Sequence, residues 1–237
     1  MGAEFPGDWR AAAVAALDWW REAGVDTLVD DLPRDWLARV APPERIASPA
    51  AAPTDAPAAL PATLAEFLAW RTGDAAPEAG WRGVSVAASG PADAAWMILV
   101  DCPDQGEDCL LGGKAGRLFD RMLAAMGLTR ETVHLAAVCA RRPVAGRMPP
   151  DVAAALHRLA QHHVGLLAPK RLLLMGDGAA RAVLGADVLR ARGRLHRVSH
   201  DGGETQAVAT FHPRLLLDRP AQKAEAWKDL QLLMGAA

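Results

Sequence analysis

From residue 96 onward the chain alternates short apolar runs with longer amphipathic stretches, a pattern that few architectures accept. The apolar runs are Trp96–Val100 (WMILV), Val133–Val138, Arg171–Met175 (RLLLM) and Ala207–Phe211 (AVATF). Each has the length of a strand and is apolar on successive positions, as a sheet covered on both faces requires. Between them lie Gly116–Met126, with Leu118, Met122 and Leu123 on one side, and Asp151–Leu167, with Val152, Leu156, Leu159, His163 and Leu166 at helical spacing. Gly178–Leu184 follows the third run, and Pro220–Leu233 closes the chain as a helix with proline near its first turn. Strands alternating with helices imply βαβ units, so the expected fold is a three-layer α/β/α sandwich around a four-stranded parallel sheet. Ligands of such sheets bind beyond the carboxyl ends of the strands. The polar residues just past the first, third and fourth runs are Asp101, Asp177 and His212, which marks a candidate site.

Upstream the pattern is different. Residues 9–40 carry helical spacing through Trp9, Ala13, Ala16, Leu17 and Trp20, a break at Gly24, and a second short segment around Trp36 and Leu37. Residues 41–61 are rich in alanine and proline, a composition that cannot bury a core and favours extended backbone. A short helix over Ala62–Trp70 leads into a loop-rich stretch. The expected organisation is therefore a helical extension (1–40), a linker (41–61) and one α/β domain (62–237). A length of 237 residues with 51% apolar and 23% charged content suits one such domain with an appendage. No apolar run approaches the ~20 residues of a membrane span, and no signal-peptide pattern opens the chain, so the expected location is cytoplasmic. Cys102, Cys109 and Cys139 form no Cys-x-x-Cys pair, and an odd number without a secretion signal argues against a disulfide framework. Net charge is −2, but residues 1–100 hold 7 Lys/Arg against 14 Asp/Glu, while residues 101–237 hold 19 against 14. That asymmetry permits a basic face on the C-terminal part.

Four segments carry a resemblance. Asp101–Leu128 (DCPDQGEDCLLGGKAGRLFDRMLAAMGL) resembles the first motif of the family-four uracil-DNA glycosylases of bacteria and archaea. Arg141–Asp151 (RRPVAGRMPPD), Leu167–Gly185 (LAPKRLLLMGDGAARAVLG) and Phe211–Leu217 (FHPRLLL) are similar to later motifs of that family. They occur in the family's order and spacing over about residues 62–233. The resemblance implies a DNA partner and base excision by hydrolysis of the N-glycosidic bond. Such an enzyme flips a nucleotide out of the duplex into a pocket that reads its edge. It then stabilises positive charge on the sugar and negative charge on the departing base.

The same resemblance puts roles on residues. His212 takes the place of the histidine that hydrogen-bonds the base oxygen as it becomes anionic. Asp101, one methylene shorter than the family's glutamate, and Glu107 fall where carboxylates orient the attacking water. Carboxylates after a buried strand also serve as helix caps, and both readings stand at this point. Pro103, Asp104, Leu111 and Ala137 fall at the base pocket. Arg214 and Leu215 fall on the segment that leans on the minor groove; leucines there can equally be core. Arg142 and Arg147 extend a basic face. The run Leu189–His200 (LRARGRLHRVSH) has four arginines, two histidines and no acid. It reads as a basic loop, with Arg194, His196 and Arg197 as candidate phosphate contacts.

The departures are equally specific. The family's pocket asparagine falls at Ala137 and its stacking aromatic at Leu111; each such contact is worth ~1–3 kcal/mol. The glycine that allows close backbone approach is Asp104. The family's four cluster cysteines are missing: none lies in 65–80, Arg141 takes the third position and Ala155, roughly, the fourth. No cofactor, and in particular no iron–sulfur cluster, is expected. Two functions fit these residues: a glycosylase for uracil or another damaged base with a remodelled pocket, or an inactive relative. The second would bind DNA, or a protein partner through its N-terminal segment, in repair or replication. No Walker or dinucleotide-type glycine loop supports a nucleotide-binding reading.

Overall fold

A computed structural model describes residues 9–23, 60–106, 108–143 and 148–235. The chain divides into two units, 1–57 and 58–237. In the first, α1 (Trp9–Glu22) is an amphipathic helix whose Val14, Leu17, Trp19 and Trp20 are exposed. The expected segment around Trp36 and nearly all of the expected linker lie outside the described residues.

The second unit begins with α2 (Leu64–Arg71), opened by a capping box in which Thr63 Oγ1 accepts from Glu66 N. Then come β1 (Trp96–Val100), α3 (Gly113–Ala125), β2 (Val133–Ala137), α4 (Pro150–Leu167), β3 (Arg171–Met175) and α5 (Asp177–Leu184). A short α6 (Val188–Ala191) leads to β4 (His196–His200), β5 (Gly203–Thr210), α7 (Pro213–Asp218), one 3-10 turn and α8 (Lys223–Met234). The sheet runs β2-β1-β3-β5-β4, with every pair parallel except β4 against β5.

The strand residues sort by parity, because successive side chains leave a strand on opposite faces. Met97, Leu99, Leu172, Leu174, Ala207 and Ala209 pack with Phe67 of α2, Leu156 and Leu159 of α4 and Ala179 of α5. Ile98, Val100, Leu173, Met175 and Val208 pack with Phe119 and Leu123 of α3 and Leu230 and Leu233 of α8. Both faces are covered, which gives the three layers. Among the described residues no helix is long and apolar enough to cross a membrane.

The sheet has five strands rather than the four expected. The extra one lies in the run read as a basic loop, which folds as α6 and β4. Along β4, His196, Val198 and His200 are half-buried while Arg197 and Ser199 are exposed, the alternation of an edge strand. Asp201-Gly202 makes the tight hairpin into β5, with His200 paired to Gly203. The exposed charge of Arg197 on this edge opposes pairing with another chain, and the polar composition of His196–His200 also hides the strand from an apolar-run criterion. Helix α7 was not expected either; it is six residues long, too short for a periodic signal.

Leu174 is completely buried at the middle of the central strand, while Leu232 on α8 is 41% exposed. Leu174→Ala is expected to cost about 2–5 kcal/mol in urea unfolding, and Leu232→Ala less than about 0.5 kcal/mol.

Candidate active site

The carboxyl ends of β1, β2, β3 and β5 come together, and each strand hands over to a loop that bears a site residue. Beyond β5, His212 is the N-cap of α7. Its Nδ1 accepts the backbone N–H of Arg214 at 3.2 Å. A neutral imidazole has one donor and one acceptor nitrogen, so this bond puts the proton on Nε2. Nε2 is buried and has no hydrogen-bond partner among the described residues. The residue is 7% exposed. Burial, reinforced by the nearby guanidinium groups of Arg214 and Arg142, pushes its pKa down to about 3. The result is a neutral N–H donor held in a positive field.

Asp101, at the end of β1, is half-buried and turned under the β3–α5 junction. Its Oδ1 accepts from Ala179 N at 2.7 Å. Burial is the largest influence and raises its pKa to about 6 against the opposing backbone bond. The close fit depends on glycine. Gly176 has φ +108, and a Cβ there would stand 2.5 Å from the Asp101 carboxylate. Asp101 thus does serve as a cap, but of α5 rather than of the helix that follows it in sequence.

Asp104 meets Arg214 in an ion pair of 3.1 Å, which links the β1–α3 loop to α7. Arg142 donates to the Pro103 carbonyl at 3.0 Å, so this arginine braces the loop beside the site. Ala137 ends β2, half-buried, with only a methyl group to offer. Leu111 is 2% exposed and sits in the core with Val100 and Phe119, so it is not brought to the pocket. Leu215 packs with Phe211 and Leu216. Arg194 and Arg197 are exposed. His196 is held by the Ala191 carbonyl at 2.7 Å. Glu107 and Arg147 lie outside the described residues.

A supporting node was missed by sequence reasoning. Asp229 of α8 is fully buried. Its carboxylate accepts from Thr210 Oγ1 (2.9 Å), Arg192 Nε (3.1 Å) and Gly193 N (3.1 Å). The Arg192 guanidinium also lies 4.7 Å over the Phe211 ring, one residue before His212. The one signal in the sequence is an aspartate on the apolar side of a helix, between Ala226 and Leu230.

A cluster of four cysteines does not fit these residues. Cys102 and Cys139 are buried, Cys109 is exposed, and among the described residues no group of three or more His, Cys, Asp or Glu could hold a metal.

Buried neutral histidines make stability depend on pH with a definite sign. The folded pKa of His212 lies below the ordinary 6.5, so the unfolded chain binds the extra proton first, and stability falls as pH drops from 6.5 towards 3. Asp101 works in the opposite direction between 3.8 and about 6, where the folded state is the better proton acceptor. His212→Gln is expected to lose roughly 2–3 kcal/mol less stability than the parent between pH 7 and pH 4. Chemical denaturation at the two pH values measures this difference.

Comparison with known proteins agrees with the geometry. A family profile described as Uracil DNA glycosylase superfamily matches residues 88–231. A type-4 uracil-DNA glycosylase of Pyrobaculum aerophilum is 30% identical over 150 residues, 59% of this chain and 76% of that protein. A second, from Archaeoglobus fulgidus, is 27% identical over 146 residues, 57% of this chain and 73% of that protein. The matched region holds the whole sheet and every strand-end residue described above, and the chain belongs to the uracil-DNA glycosylase superfamily.

Proposed function

We propose that the chain is a DNA glycosylase that removes uracil or another damaged base by hydrolysing its N-glycosidic bond. The observation that carries this reading is the His212 Nε2–H, a buried donor at the carboxyl edge of a parallel sheet without a partner among the described residues. In the reaction the bond between C1′ and the base nitrogen breaks, and its electron pair leaves with the base. His212 donates to the base oxygen on which that charge collects, and Arg142 and Arg214 add a positive field. Because the imidazole is already neutral and fixed in tautomer, it needs no reorganisation as charge develops. Asp101, ionised at neutral pH, orients a water towards the cationic sugar carbon and takes its proton. Leu111 and Ala137 supply neither the aromatic face nor the amide of the related pocket, which supports a base other than uracil or a looser grip on it. Arg214, Leu215, Arg194 and Arg197 are the proposed contacts to the DNA, together with Arg142, Arg147 and His196. No metal or cofactor takes part.

The measurement is strand cleavage by alkali after incubation with oligonucleotides carrying uracil, hypoxanthine or xanthine, single- and double-stranded. The parent is expected to release one of these bases. His212→Ala is expected to lower the rate about 10²–10³-fold, the usual loss for one donor to a developing anion. Unchanged release in His212→Ala removes the mechanism. The rate of the parent is expected to fall as pH drops through about 6, where Asp101 takes up its proton, and Asp101→Asn is expected to abolish that dependence.

A second reading rests on α1, whose Val14 (58% exposed), Leu17 (70%) and Trp20 (51%) follow one another at i, i+3 spacing and form an apolar face. We propose that this face binds a protein partner, whether or not the domain excises bases. Leu17→Asp with Trp20→Asp is expected to abolish partner capture without changing the melting temperature of the second unit.

A further inference from the structure

The stretch 65–80, where the family resemblance puts two of the cluster ligands, has no cysteine but holds two charged residues that find one another, Arg71 and Glu78. Arg71 ends α2, and Glu78 lies in the loop that follows; the two make an ion pair, Arg71 Nη1 to Glu78 Oε1, with side chains 9% and 1% exposed. Arg71 Nη2 donates to the Val138 carbonyl at 2.7 Å. Glu78 Oε1 accepts from Ala140 N at 2.8 Å. Arg141, in the position of the third cluster cysteine, donates to the Ala79 and Trp81 carbonyls. Val86 N donates to the Ala140 carbonyl at 2.8 Å. Residues 71–86 are thus tied to residues 138–141 by bonds from both sides. Cys139 lies within the same network but is buried as a thiol whose pKa burial pushes up, the reverse of what a metal ligand requires.

We propose that the buried Arg71–Glu78 pair takes the structural place of an iron–sulfur cluster in this chain and positions the β2–α4 connection that bears Arg142. The pair fixes Val138 and Ala140 directly. Two residues on, Arg142 reaches the Pro103 carbonyl and contributes to the field on His212. Arg71 and Glu78 are positioning residues: they touch backbone, and the backbone carries the charged group to the site. Glu78 Oε2 is buried without a hydrogen-bond partner among the described residues. The carboxylate therefore depends on the Arg71 charge, and each partner is costly to bury without the other. Unlike a metal cluster, the pair neither exchanges electrons nor responds to chelators or oxidants.

The test is a double-substitution cycle in the full chain, with Arg71→Met, Glu78→Met and both together. Each single change leaves one buried charge unpaired and is expected to lower Tm by roughly 10 °C. The double variant, which removes both charges, is expected to lose less than half the sum of the two. Amide exchange is the second readout: in the double variant it should accelerate at residues 138–142 and 102–106 and stay unchanged in α8. Uniform acceleration would indicate a global role only and would overturn the positioning claim. Additive losses in Tm, or an unfolded double variant, would overturn the pairing. Single variants that fail to fold beside a folded double variant support it. Iron at one cluster per chain in the purified parent overturns the proposal outright. None of these readouts requires base excision.

Discussion

The carboxylate of Asp229 is the interaction on which the His212 end of the molecule depends. It is fully buried, and burial raises its pKa against the pull of Thr210 and Arg192. A buried carboxylate is tolerable only when its oxygens are bonded and its charge is met. Here Thr210 supplies a hydroxyl, Gly193 a backbone N–H and Arg192 a guanidinium. The three donors come from the end of β5 and from the connection between α6 and β4, so one side chain of α8 fastens both. Arg192 then lies against Phe211, and His212 follows immediately. The catalytic candidate is mounted on a segment whose neighbours are secured by charge-assisted bonds.

That rigidity gives the electrostatics its meaning. A histidine with a free ring would choose its tautomer and protonation state with every solvent fluctuation. At His212 the Arg214 N–H decides the tautomer, and burial with two guanidinium groups keeps the ring neutral. The same arginines carry counter-duties: Arg214 pairs with Asp104, and Arg142 holds Pro103. Asp104 stands where the family resemblance puts a glycine, so this chain has placed a carboxylate beside the site and matched it with an arginine of α7. The positive charge and the carboxylate therefore come as a pair, and a polyanion approaching Arg214 competes with Asp104 for it.

Much of the fold was legible. The runs at Trp96–Val100 and Arg171–Met175 match β1 and β3 end to end, and α4 differs from expectation by one residue. These elements are apolar on consecutive or helically spaced positions, and burial on both faces leaves no freedom about where they go. Strand β4 was not legible, because an edge strand half open to solvent carries charge. The short α7 was not legible because it is held by His212 and a proline rather than by periodicity. Of the site, Asp101 and His212 could be named from position beyond strand ends, while Asp229 offered only its place on the apolar side of a helix, which does not reveal the partners that hold it.

By itself the sequence determined the layered α/β architecture, the strand ends that carry polar residues, and the missing pocket amide, stacking aromatic and cluster cysteines. These are properties of residue type and short-range order, and they survive any choice of packing. Tertiary structure alone decided which residues answer one another: Asp101 with the α5 amides, Asp104 with Arg214, Asp229 with Arg192, and Arg71 with Glu78. Each of the last three is a charge whose cost depends on a partner, and the partners lie 7 to 110 residues away along the chain. A side chain's charge state and hydrogen-bonding role are set by what surrounds it, and only the folded chain supplies the surroundings.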